Sequence, residues 1–278
     1  MRGPRRGQGR IPAWIAIVAV WLFMAAPLAI VVVNSFNASA VSQFPPVDWS
    51  LRWYRAAVAD ESFRDGFALS VRVAFLAAAM ATVSGLTAAY AFDRFRFPGS
   101  AALHSLINAP LSMPKVALGL AGLIGYLTAG SWFGSLKTVF GGGLALTVLH
   151  AAMTLPFVVG VLISALEAAD HRLESAARDL GAGPVTAFVR VVLPAVVPGF
   201  LISFGFSFML SFDELESSLF MSSLSGDTLP VVMFTFLETH LDPTLAALST
   251  LLLAGTGLVA AVGFAAFRVL QRRTRGVR

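Results

Sequence analysis

The stretch LESAARDLGAGPVTAFVRVVLPAVVPG, residues 173–199, stands between two long apolar segments yet carries Glu174, Arg178 and Asp179 near its start. Two helices can be joined by a handful of residues, whereas about thirty separate Glu167 from Val197. The spacing is helical. Leu166, Ala169, Leu173, Ala176, Ala177 and Leu180 recur at steps of three and four and form one apolar stripe. Asp170, Glu174 and Arg178 share the opposite side, and Glu174 before Arg178 is the favourable order for a pair worth about 0.2–0.5 kcal/mol. Gly181 supplies the left-handed stop that commonly follows a helix. Gly183-Pro184 then opens a second helical stretch with Val185, Phe188, Val189 and Val192 on one face, and Pro194 and Pro198 are expected to interrupt the chain before it re-enters an apolar phase.

The surroundings identify that phase. Of the 278 residues, 57% are hydrophobic and only 13% charged, about half the charged share of a soluble domain. The apolar residues fall in six blocks long enough to cross a bilayer, near 13–33, 67–92, 101–127, 139–166, 197–218 and 245–267. The first follows MRGPRRGQGR and outruns the apolar core of a cleavable leader, so it is expected to be an uncleaved span. The chain therefore reads as an all-α integral membrane protein. It has six transmembrane helices and a long cytoplasmic loop, about 167–197, between the fourth and fifth. A basic N-terminus, 1–12, and a basic tail, 268–278, flank the six-span domain at 13–267.

Orientation follows from the basic residues. With the N-terminus inside, fourteen arginines fall on the cytoplasmic side: Arg2, Arg5, Arg6, Arg10, Arg94, Arg96, Arg172, Arg178, Arg190, Arg268, Arg272, Arg273, Arg275 and Arg278. Only Arg52, Arg55, Arg64 and Lys137 fall outside. Both termini are expected on the cytoplasmic side of the membrane. The same bias explains a basic chain without invoking nucleic acid. The chain has no cysteine, and its four histidines lack metal-ligand spacing, so neither thiolate chemistry nor a metal site is expected.

From Glu167 to Leu180, four acids (Glu167, Asp170, Glu174, Asp179) oppose Arg172 and Arg178. An interfacial helix on anionic lipid is normally rich in Lys and Arg, so this balance favours a protein partner. The stretch from Glu174 resembles the cytoplasmic EAA loop of ABC importer permeases: Glu-Ala-Ala, three residues, Gly, nine residues, then Ile-x-Leu-Pro. Gly181 is followed after nine residues by Val191, Val192, Leu193 and Pro194. One position departs, because Ser175 stands where the pattern has glutamate and Glu174 lies one residue early. The resemblance implies that Glu174, Ser175, Ala176, Ala177, Arg178, Asp179, Gly181, Leu193 and Pro194 belong to a coupling loop docked on an ATPase subunit. A second match, SFDELESSLFMSSLSGDTLPVVMFTFLETHLDPTLAALSTLLL at 211–253, resembles the spermidine/putrescine permease group. The implied partners are two ATPase subunits carrying ATP and Mg, a second permease and an external substrate-binding protein. No cofactor is implied in this chain.

Candidate path residues come from the fifth block. Ser203, Ser207, Ser211, Glu214 and Ser218 fall at steps of four, four, three and four, so one helical face is polar and should avoid lipid. Ser207, Ser211, Asp213 and Glu214 are the substrate-path candidates, and Asp213, Glu214 and Glu216 concentrate negative charge suited to a small polyamine-like cation. Serines also serve as ordinary interhelical contacts. In the third block, Pro110 and Pro114 weaken the helix. Lys115 needs an acid of this chain, an acid of a partner, or a route outward. Gly119, Gly122 and Gly125 read as a packing face.

The chain lacks the Gly-x-x-x-x-Gly-Lys-Ser/Thr phosphate loop, so any ATP hydrolysis belongs to another polypeptide. The readings that compete with a polyamine permease are an ion-gradient-driven secondary transporter and an ABC permease for iron, thiamine or a phosphonate. No motif supports an intramembrane enzyme.

Overall fold

The computed structural model describes residues 10–41, 45, 46, 48–132 and 141–275, and within these the side chains of all but 10–13, 130–132, 259, 260 and 262–275. Arg2, Arg5, Arg6, Lys137, Arg278 and the start of the fourth block at Val139 lie outside the described residues. Apart from one isolated bridge between Asn37 and Trp49, the regular elements among the described residues are all helices.

The helices are α1 (Arg10–Asn34), α2 (Arg52–Ala59), α3 (Glu61–Arg94), α4 (Ser100–Asn108), α5 (Lys115–Trp132), α6 (Gly142–Ala168), α7 (His171–Asp179), α8 (Pro184–Ala187), α9 (Leu193–Phe212), α10 (Glu216–Ser225), α11 (Leu229–Thr239) and α12 (Thr244–Arg275). Among the described residues, four helical stretches are long and apolar enough to cross a membrane, or up to six if each of two bent pairs is one span. The protein is thus an all-α, multi-span membrane protein. The expected sixth span, 245–267, lies in α12, whose described apolar part is the shorter Thr244–Leu258.

Two expected spans are not straight. The third bends by 113° between Ser100–Ser112 and Lys115–Ala129. Proline removes a backbone donor and disfavours helical geometry in the residue before it; Met113, preceding Pro114, is accordingly extended (ψ 142°). The fifth ends at Phe212, short of the expected Ser218, and is followed by a second bent pair, Glu216–Ser225 and Leu229–Thr239, at 98°. Pro194 and Pro198, in contrast, do not interrupt the chain, which stays helical from Pro184 to Phe212. A π-helical turn over Phe188–Val192 precedes Pro194, with the Leu193 N–H bonded to the Phe188 carbonyl, five residues back. Pro194 then falls in the first turn of α9, where a missing donor costs little.

The chain forms two compact units, 62–234 and the combination of 1–61 with 235–278. In the second of these, α1 and α2 pack on α12. The Trp53 indole N–H donates to the Asn37 carbonyl at 2.7 Å, and Tyr54 shares a hydrogen bond with Ser35 at 2.6 Å. Asn37, the first residue of a glycosylation-like triplet, is buried with its side chain accepting from the Ser39 N–H.

In unit 62–234, α3, α6 and α9 share a core of small and branched residues, including Ala77, Ala81 and Ala89 against Val158, Leu162, Leu166 and Val196. In lipid the hydrophobic effect cannot drive helices together. Close approach over small side chains supplies dispersion contacts instead. Gly119 of α5 serves the same purpose: a Cβ there would lie 2.7 Å from the Ser217 Cα of α10. Gly122 abuts Leu149, whereas Gly125 faces open space, so two of the three glycines expected to pack do so.

Candidate functional site

The segment between α6 and α9 is built by local rules. The Asp170 carboxylate caps α7 by accepting from the Arg172 N–H at 2.9 Å. At the other end Gly181 is left-handed (φ 90°). Its N–H donates to the Arg178 carbonyl at 2.9 Å, and the Ala182 N–H to Ala177 at 3.0 Å. These two bonds satisfy carbonyls that the last helical turn leaves open and reverse the chain into α8. The glycine stop read from sequence is thus present in the backbone.

Which side of α7 faces inward could not be read from the stripe alone. Glu174 points into the protein and is only 7% exposed. One carboxylate oxygen accepts from the Tyr90 hydroxyl at 2.8 Å, the other from the Arg94 Nε at 2.9 Å, and Arg178 stands 3.7 Å away. Arg94 also contacts Asp93 and the His171 ring. The Tyr90 ring meets Phe188 of the π turn edge-on at 4.9 Å. Burial alone would raise the Glu174 pKa. The bonds from Tyr90 and Arg94, with the Arg94 and Arg178 charges, outweigh it and hold the carboxyl below its ordinary value.

With the polar side turned inward, Leu173, Leu180, Val185 and Val189 stand exposed, Leu180 at 89%. Phe188 and Val192, expected on the same face as Val185 and Val189, pack instead with the α3–α6–α9 core. Ser175, Ala176, Arg178, Asp179 and Pro194 are exposed; Ala177 and Leu193 are half-buried.

The second group of candidates lies where α9 breaks. Ser203, Ser207 and Ser211 are buried, so the polar face points into the bundle. Ser207 donates to the Thr154 hydroxyl at 2.8 Å. His150, 1% exposed, bridges Ser211 (Nδ1, 2.8 Å) and Ser218 (Nε2, 3.1 Å). The single Ser218 hydroxyl proton goes to the Glu214 carbonyl at 2.7 Å. Nε2 must therefore carry the imidazole proton, and Nδ1 accepts from Ser211.

Glu214 sits in the break itself rather than on a continuing helix, and is 5% exposed. One oxygen accepts from the Ser217 N–H and hydroxyl, both at 3.2 Å; the other accepts from Lys115 Nζ at 2.8 Å. The acid of this chain is thus the answer to the three options left open for Lys115. Asp213 and Glu216 are exposed.

The sequence reading had not selected Tyr90, Arg94, His150 or Thr154. His150 and Thr154 are four apart on a largely apolar helix, and such polar pairs at depth are a usable signal. Tyr90 and Arg94 have the same spacing, but in the sequence Arg94 reads only as an orientation marker. Among the described residues, no group of three or more His, Asp or Glu is arranged to hold a metal ion.

Comparison with known proteins gives concordant matches. The family described as binding-protein-dependent transport system inner membrane component matches residues 69–276. The chain is 33% identical over 265 residues to the putrescine transport system permease protein PotI of Escherichia coli (strain K12), covering 95% of this chain and 92% of that protein. It is 29% identical to the spermidine/putrescine transport system permease protein PotC of Haemophilus influenzae, covering 87% and 90%. Its fold resembles a chain of a bacterial ABC transporter involved in the import of the acidic polysaccharide alginate, with a TM-score of 0.63 at 15% identity, covering 95% of this chain and 98% of that one.

Proposed function

The chain belongs to the family of binding-protein-dependent transport system inner membrane components and is a non-catalytic permease subunit of an ABC importer for a small solute; on that premise we propose that segment 167–197 is the dock for the importer's ATPase subunits. The observation that carries this is the orientation of α7. Its carboxylate is tied to the permease, while Leu173, Leu180, Val185 and Val189 are left uncovered beside the exposed Arg178 and Asp179. Exposed apolar side chains outside a bilayer, rimmed by charge, suit a protein groove. The segment lies on the cytoplasmic side, both termini lie there too, and the permease region spans 13–267 between the basic ends. ATP and Mg reside on the two ATPase subunits, and a second permease and an external substrate-binding protein complete the importer. Transport is a two-state equilibrium between inward- and outward-open forms, biased through this dock when the ATPases close.

Gly181→Val tests the dock. A β-branched residue resists the left-handed turn, so α7 and α8 should splay while the spans still insert. The expected result is loss of ATPase association or of substrate-stimulated ATP hydrolysis. Normal stimulated hydrolysis in the Gly181→Val complex would remove the assignment.

The transported solute is a polyamine-like cation. Similarity to permeases named for putrescine and spermidine/putrescine supports this, as do Asp213, Glu214 and Glu216 at the α9–α10 break. ATP hydrolysis by the reconstituted complex should respond to putrescine or spermidine and not to thiamine, iron or a phosphonate.

A further inference from the structure

The ion pair between Lys115 and Glu214 joins two breaks in the membrane helices. Lys115 is the first residue of α5, immediately after the 113° bend, and Glu214 lies between α9 and α10. The two partners differ in exposure: Glu214 is buried, whereas the Lys115 side chain is 53% exposed. The carboxylate is fixed by Ser217, through N–H and hydroxyl bonds to one oxygen, leaving the other for a cation. The ammonium reaches it from the open side on a flexible stem.

A buried carboxylate deprived of its partner is strongly destabilised. Glu214 must therefore remain neutralised in whatever state the break adopts. For Glu214 to stay ionised in this buried position, Lys115 can leave only if another cation takes its place. The group that substitutes with least change is the one already there, a primary ammonium on an alkyl chain. The exposed Asp213 and Glu216 flank the same break and add negative charge around Lys115.

We propose that Lys115 occupies, on Glu214, the seat of the solute's own primary ammonium and yields it as the solute passes. The pair is a tethered competitor. It keeps the carboxylate neutral while the path is empty and sets how readily an amine enters. This rests on the cationic-solute reading above, and it extends that reading to alkylammonium ions over quaternary or metal cations. A lysine that fills the seat most of the time lowers apparent affinity by the fraction of time the seat is open.

The test uses the permease pair assembled with its ATPase subunits in nanodiscs, without binding protein, and measures putrescine binding. If Lys115 leaves the seat open about a tenth of the time, Lys115→Met should bind putrescine about tenfold more tightly than wild type. The gain should vanish in Lys115→Met/Glu214→Gln. Lys115→Met should also melt below wild type and be restored by putrescine but not by tetramethylammonium. Lys115→Arg, whose fork holds a carboxylate by two bonds, should weaken putrescine binding and serves if Lys115→Met does not assemble. Unchanged affinity in the lysine variants, or a gain that survives Glu214→Gln, would overturn the proposal while leaving a cation importer standing. A wild-type complex stimulated only by a phosphonate would overturn both.

Discussion

Replacing Glu174 by glutamine keeps the length of the side chain but removes the charge that Tyr90 and Arg94 address. Hydrogen bonds to charged groups contribute about 1.5–3 kcal/mol. Glu174→Gln is therefore expected to destabilise the segment by about 2 kcal/mol, read as protease sensitivity of residues 169–192 with the spans still protected. The pH dependence has a definite sign. The folded pKa is depressed below the ordinary glutamate value of 4.5. The stabilisation is thus complete above that value and is lost as pH falls from it through the lower folded value. Protection of the segment should be flat at neutral pH and fail only in acid; loss of protection already at neutral pH would contradict the Glu174 anchor. At depth, His150→Leu leaves the Ser211 hydroxyl facing an apolar side chain, whereas Ser218 keeps its bond to the Glu214 carbonyl. A buried polar group left unpaired costs about 1–3 kcal/mol, so a lower melting temperature is expected in detergent, and an unchanged one would contradict the bridging geometry.

The elements show where small residues are indispensable. At Gly119 a Cβ would meet backbone, the Ser217 Cα, rather than the movable end of a side chain. Gly119→Val should force α5 from α10 and lengthen the Lys115–Glu214 pair, whereas Gly125→Val, which meets open space within this chain, should leave the monomer's melting temperature unchanged. Equal melting temperatures for the two variants would remove close packing as the reason for Gly119. Helix periodicity located α7 and its glycine stop well, because capping and turn chemistry act within a few residues. It could not choose the buried side. That choice was made by Tyr90 and Arg94, some eighty positions earlier in the chain, which offer donors to Glu174 and none to Leu173.

For the whole molecule, the arginine bias predicts cytoplasmic termini, and reporter fusions after Arg278 and within 222–227 should report opposite sides of the membrane. The same side at both would mean that the bent pair α10–α11 changes the number of crossings, which its 98° bend leaves to experiment. Composition and hydrophobic block length by themselves determined that this is a helical, multi-span membrane protein, because each span must satisfy its own backbone in lipid and so declares itself locally. Motif spacing determined the importer family for the same reason, since turns and docking segments are short-range features. Only the tertiary structure decided that the fifth block breaks after Phe212, that Glu174 faces inward, and that Lys115 is held by Glu214. Each of these turns on satisfying a charged or polar group in a low-dielectric interior. The partners that do so come from helices distant in sequence, where no periodicity could have paired them.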